Sequence, residues 1–215
     1  MPRNKYPEET VKKILDAALK LFLEKGYEQT TILDIVAEMK GLTRGAFYHH
    51  FKSKEDVLEA VTEMIFCESN PFEKVKQEKG LSGLGKIKLA LKYSSVQGYV
   101  DERAIALNKI AIPLLSNPRF LSEQIKSTRY IAGFVEALIE EGMADGSIAR
   151  GNAKFLGELF MLLFNVWIVP SIFPCSLEEA WEKILIIKKT FEALGLPVID
   201  EEMLESLQNV VIAYE

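Results

Sequence analysis

Between Thr30 and Val57 the sequence TTILDIVAEMKGLTRGAFYHHFKSKEDV reads as two short helices joined by a tight turn, with a third helix starting directly behind them. Thr31 is placed to cap the first helix, and Asp34, three residues on, to return the hydrogen bond as in a capping box. Ile32, Ile35, Val36 and Met39 then recur at i, i+3, i+4 and i+7, one apolar helical face. Lys40-Gly41 stops that helix, because glycine tolerates the left-handed conformation in which helices end. Thr43 caps the second helix, and Leu42 ahead of it can staple onto Phe47. Phe47 and Phe51, four apart, face the core. Ser53, followed by Asp56, opens the third helix. Arg44, Gly45, Ala46, Tyr48 and His49 remain for the outer face of the second helix.

That outer face has the chemistry of a DNA-reading helix. Gly45 and Ala46 are small enough for the backbone to approach a groove, and Arg44 can donate two hydrogen bonds to guanine O6 and N7. Tyr48, His49 and Lys54 can reach phosphates, helped by the free N–H groups at the helix starts that Thr31 and Thr43 cap. The pattern T-x-x-D-I-x…G-[LV]-[ST]-[RK]-G-x-[LF]-Y-x-H-F-x-S-K-E runs from Thr31 through Glu55, and it closely resembles the DNA-binding segment of the TetR family of bacterial repressors. The chain carries one residue more than the commonest family form between Asp34 and Gly41, at Ala37 to Lys40. A difference is therefore expected in the turn or in the last turn of the helix before it.

The formal charge of −5 would argue against a nucleic-acid partner, but its distribution reverses that. Residues 1–54 hold 10 Lys and Arg against 7 Asp and Glu; residues 55–215 hold 16 against 24. A basic head on an acidic body confines attraction for DNA to the head. The arm Met1–Tyr6 adds Arg3 and Lys5 for phosphates. Cys67 and Cys175 form no metal or redox motif and read as reduced thiols of a cytoplasmic protein. Leu159–Leu177 holds 19 residues without a charge. Asn165, Pro170 and Pro174 break it, which leaves a core helix shorter than a membrane span. No membrane partner is expected.

Helical patterns fill the rest of the chain and no stretch alternates as a strand does, so the expected fold class is all-α: a three-helix helix-turn-helix head and a larger helical body. The expected domains are 1–53 for DNA binding and 54–215 for effector binding and dimerisation, linked by a helix at 54–69. A first helix is read at 8–25. Helices are expected near 84–99, 102–115, 118–141, 152–169, 176–194 and 200–213, with Gln77–Gly85 as a loop or helix start. The helix at 152–169 is apolar nearly all round and so is buried on several sides. The resemblance implies that it and the next helix form a four-helix dimer interface through Phe155, Leu159, Leu163, Trp167, Trp181, Ile184 and Phe191. It also implies a small-molecule pocket in the body, with candidate linings Tyr93, Tyr99, Asn108, Tyr130, Phe134, Met161 and Asn165. Asn165 could hold a ligand or pair with its own copy across a dimer axis, since a buried amide needs partners.

No enzyme is expected. His49 and His50, the only histidines, are adjacent and point about 100° apart on a helix, so they cannot share a metal or serve a triad in the body. Neither a metal nor a cofactor is anticipated. The expected function is a homodimeric, ligand-responsive regulator, a repressor that binds a palindromic operator and is released by a small hydrophobic effector. Two alternatives stay open: a nucleoid or structural DNA-binding factor without an effector, and a regulator that needs its ligand as co-repressor.

Overall fold

The computed structural model describes residues 7–41, 43–94 and 102–205. All regular structure among them is helical. Backbone contacts divide the chain into two compact units, Met1–Glu68 with Glu102–Ala111, and Ser69–Asp101 with Ile112–Glu215. The helix expected to link the domains thus falls, through Glu68, within the first unit. The arm at 1–6, the Leu42 staple and the end of the last expected helix lie outside the described residues.

The first unit begins with α1 (Pro7–Lys25), α2 (Ile32–Glu38), α3 (Arg44–His50) and α4 (Lys54–Ser69). Ile14, Ala18 and Phe22 recur along one stripe of α1 and are buried with Ile35, Phe47, Val57, Leu58 and Val61. These side chains remove most of their apolar surface from water, the main favourable term in holding the four helices together. α2 is only 7 residues long, below the length at which a helix holds alone, so its caps matter. The Thr31 hydroxyl accepts from Asp34 N, and Asp34 Oδ2 accepts from Thr31 N at 2.8 Å. Lys25 Nζ lies 2.7 Å from the same carboxylate oxygen. Lys25 foremost, then Thr31, holds the Asp34 pKa down at about 2. The cap is therefore fully ionised above the ordinary carboxylate range and is lost only as pH falls toward 2.

The turn expected to differ from the commonest family form is described through Gly41. α2 ends at Glu38 with Met39 as its cap, and Lys40 and Gly41 both take positive φ, 35° and 89°. Two consecutive positive-φ residues thus reverse the chain after α2, and Gly41 adopts its conformation without steric cost.

The second unit contains α5 (Pro71–Lys74), a 3₁₀ turn at Val75–Gln77, α6 (Gly83–Ser94), α8 (Pro118–Asp145), α9 (Ala153–Leu162) and α10 (Leu177–Ala193). The long α7 (Glu102–Leu114) is divided between the units. α9 continues into a π-helical turn at Leu163–Trp167, which ends ahead of Pro170 as expected from the sequence. Phe72, Phe160, Phe164 and Phe191 form an aromatic cluster at centroid separations of 4.7 to 6.5 Å. After α10 the chain straps back over this unit: Leu196, Val198, Ile199 and Met203 are buried, and Asp200 and Glu202 pair with Lys88 and Lys92. No helix among the described residues is long and apolar enough to cross a membrane.

Candidate nucleic-acid interface

The second helix of the helix-turn-helix presents the side chains that a DNA groove requires. Phe47 is fully buried and Phe51 nearly so, which fixes the inner face of α3 and turns Arg44, Gly45, Tyr48 and His49 outward. Ala46 is half-buried. The Arg44 guanidinium lies over the Tyr48 ring at 5.4 Å, and Tyr48 in turn sets its ring edge-on to Phe47 at 5.4 Å. The ring therefore supports the extended arginine while leaving its donor fork available. No acidic residue lies in the first turn of α3, so nothing there repels a phosphate. The Thr43 hydroxyl accepts from Ala46 N at 3.3 Å, which leaves its own hydrogen to donate outward. Thr31 is exposed but more committed, donating to Asp34 Oδ2 at 2.7 Å while accepting from Asp34 N. Its contribution is to hold the start of α2.

One expected phosphate contact points the other way. Lys54 Nζ donates to the carbonyl of Tyr27 at 2.8 Å and sits 4.1 Å from the centre of the Tyr27 ring. Its ammonium ties the start of α4 to the loop after α1. Lys52, which sequence reasoning passed over, is exposed two residues beyond α3 and carries a cation on that side of the unit. Its only signal was membership of the Lys52-Ser53-Lys54 run. Lys54→Met is accordingly expected to lower stability by roughly 1–2 kcal/mol, as a charged hydrogen bond and a cation–π contact are lost. The salt dependence of DNA binding should stay unchanged; denaturant melts and titrations at several salt concentrations check the two halves.

The described residues of the expected pocket in the second unit are carried by α6, α8, α9 and the π-helical turn. Tyr130 is 60% exposed and sets its ring edge-on to Phe134, over which Lys76 Nζ lies at 4.7 Å. Tyr93 is half-buried on α6 and Met161 is buried on α9. Asn165 lies half-buried in the π-helical turn, where its backbone carbonyl accepts from Gln124 Nε2 at 3.1 Å. Tyr99 and the side chain of Asn108 lie outside the described residues. Thr128, not singled out from sequence, is buried on α8 and its hydroxyl has no hydrogen-bond partner among the described residues. Its signal was legible: with Ile131, Ala132 and Val135 it occupies a stripe that is otherwise apolar.

The expected dimer residues divide in two. Ile184 and Phe191 are buried within their own unit, Phe191 in the aromatic cluster, so neither is available to a partner. Leu159, Leu163, Trp167 and Trp181 are half-buried, and Phe155 is 61% exposed. Leu162 and Ile186, absent from the sequence-based set, are exposed on the same two helices.

The chain is similar to known proteins in sequence and in fold. Residues 14–61 match the family described as "Bacterial regulatory proteins, tetR family". The chain is 50% identical over 54 residues to the HTH-type transcriptional regulator SrpR of Pseudomonas putida, a match spanning a quarter of each chain. It is 29% identical over 156 residues to the Transposon Tn10 TetC protein of Escherichia coli, covering 70% of this chain and 74% of that one. Among solved structures, Salmonella enterica GusR shares the fold with a TM-score of 0.60 at 19% identity, over 90% of this chain and 98% of that one. A TetR-family transcriptional regulator from Pectobacterium atrosepticum does so with 0.54 at 21%, over 90% and 98%.

Proposed function

Because the chain belongs to the TetR family of bacterial regulatory proteins, we propose that it is a homodimeric transcriptional repressor that reads a palindromic operator with α3 and is released by a small effector. The observation that carries this reading is the outward face of α3, with Arg44 extended over Tyr48 at the capped N-terminal end of a helix anchored by Phe47. Recognition helices of this type contact base edges through their N-terminal residues. A dimer then presents two such helices roughly 34–36 Å apart to successive turns of the major groove.

The effector part of the reading draws support from Thr128 and Gln124, two polar side chains one turn apart on α8: the Thr128 hydroxyl has no hydrogen-bond partner among the described residues, and Gln124 donates to the Asn165 carbonyl in the π-helical turn. Single π turns within helices are frequent at functional sites. An effector that binds better to one spacing of the two heads shifts the dimer toward that spacing. By reciprocity, operator DNA then weakens effector binding by the same factor. Arg44→Ala tests the DNA-reading face: operator affinity should fall by roughly 1–3 kcal/mol, with preference relaxed at one base pair in each half-site. Unchanged affinity and preference at fixed salt would remove Arg44 from the reading face.

A further inference from the structure

Leu33 is 60% exposed, the most exposed large apolar side chain among the described residues of the first unit. Neither the core nor the DNA contacts assigned above use it. Its direction follows from its neighbours on α2. Ile35 and Met39 are buried in the core. Asp34 and Glu38 turn toward α1, where Lys25 and Lys20 hold them at 2.7 Å each. At about 100° per residue, Leu33 and Ala37 then lie on the side away from the core, and both are exposed. The two carboxylates of the helix are each matched by a lysine, and the exposed Lys40 follows it. The result is a short apolar strip whose surroundings do not repel a polyanion. The Thr31–Asp34 capping box fixes the turn from which Leu33 projects.

The place of α2 in the head gives this strip its occupant. In a helix-turn-helix the second helix enters the major groove and the first crosses the backbone beside it. Leucine has no donor or acceptor, so it can recognise neither a phosphate nor the hydrogen-bonding edge of a base. The apolar group that the major groove offers is the C5-methyl of thymine. We propose that Leu33 contacts the methyl group of one thymine in each operator half-site, at a base pair other than the one read by Arg44. α2 thus adds an apolar reading to the polar one made by α3, and Leu33 sets specificity. This contact rests on the DNA-reading function proposed above.

The test uses the full chain and the duplex it recovers from a random pool, with each thymine replaced in turn by deoxyuridine, which removes only the methyl group. At one thymine per half-site the replacement should weaken wild-type binding about fourfold, the loss of one buried methyl. Leu33→Ala protein should bind the thymine duplex at least that much more weakly, and at this position the two changes should not add. Leu33→Met should keep the discrimination. Because Leu33 is exposed, the melting temperature of Leu33→Ala should match wild type. A wild-type protein indifferent to the methyl at every position, or a Leu33→Ala protein that discriminates everywhere as wild type does, would overturn the contact while a recovered repeat still upholds reading by α3. A change of association state in sedimentation of Leu33→Ala would also overturn it, by placing the leucine against protein. A pool that yields no common sequence would remove the DNA-reading function itself, and this contact with it.

Discussion

Ile186→Glu is expected to convert the protein from dimer to monomer without unfolding it. Ile186 is 51% exposed in the single chain, so a glutamate there leaves the core of its own unit intact. Phe155 and Leu162 are also exposed, on the neighbouring α9. Exposed apolar side chains on the two helices that the resemblance assigns to the interface are candidates for burial against a partner. A two-fold interface uses the same patch on both copies, so one substitution places two charges in it. An unpaired charge in a dry interface costs roughly 3–5 kcal/mol, which doubled is enough to dissociate a micromolar dimer. Ile184→Glu supplies the contrast. Ile184 is buried in its own unit, and its replacement should unfold the chain. Sedimentation and circular dichroism separate the two outcomes. An Ile186→Glu protein that remains dimeric with an unchanged melting temperature would show that this face is not the interface.

The second large effect is expected at Gly83. A Cβ there would lie 2.2 Å from Gly142 N and 2.5 Å from the Leu138 carbonyl oxygen, both backbone atoms of α8 that cannot step aside. The start of α6 is held in place by Asp145, which accepts from Gly83 N at 2.7 Å, and by Ser147, which accepts from Leu84 N at 3.3 Å. Moving the helices apart to admit a methyl group would break both bonds and loosen the packing of α6 on α8. Gly83→Ala should therefore cost about 3 kcal/mol, at the upper end for overpacked sites. Gly142→Ala meets side-chain rather than backbone atoms, those of the buried Ile148 from Cδ1 to Cβ, and should cost less. Chemical denaturation of both variants checks the order; a Gly83→Ala protein as stable as wild type would contradict this packing.

The head was legible in the sequence because what defines it is local. The pairs Thr31–Asp34, Thr43–Ala46 and Ser53–Asp56 each close over three residues, and the helix boundaries follow from them. What escaped depends on residues far apart in the chain. Lys54 reaches a carbonyl 27 positions away, so its motif position could not reveal that it faces inward. Gly83 in its glycine-rich run read as a loop or a helix start, and only the approach of α8 explains why a Cβ is excluded there. For α10, periodicity identified an apolar face at Ile184 and Phe191 and passed over Ile186. It could not say that Ile184 and Phe191 face their own core while Ile186 is exposed. Tyr130 was similarly placed inside by its aromatic character, although its hydroxyl lets the ring lie at the surface against Phe134.

Two copies of α3 are expected to read DNA together. Selection of sites from a random pool of DNA duplexes by the full-length protein tests it most directly. The account predicts recovery of an inverted repeat whose half-site centres lie one helical turn apart, about 10–10.5 base pairs, or a whole multiple of it. Two protomers should occupy each site. Arg44→Ala protein should recover the same repeat with one position per half-site relaxed. Recovery of duplexes with no common sequence would instead identify a factor that binds the DNA backbone alone, and would contradict the repressor reading.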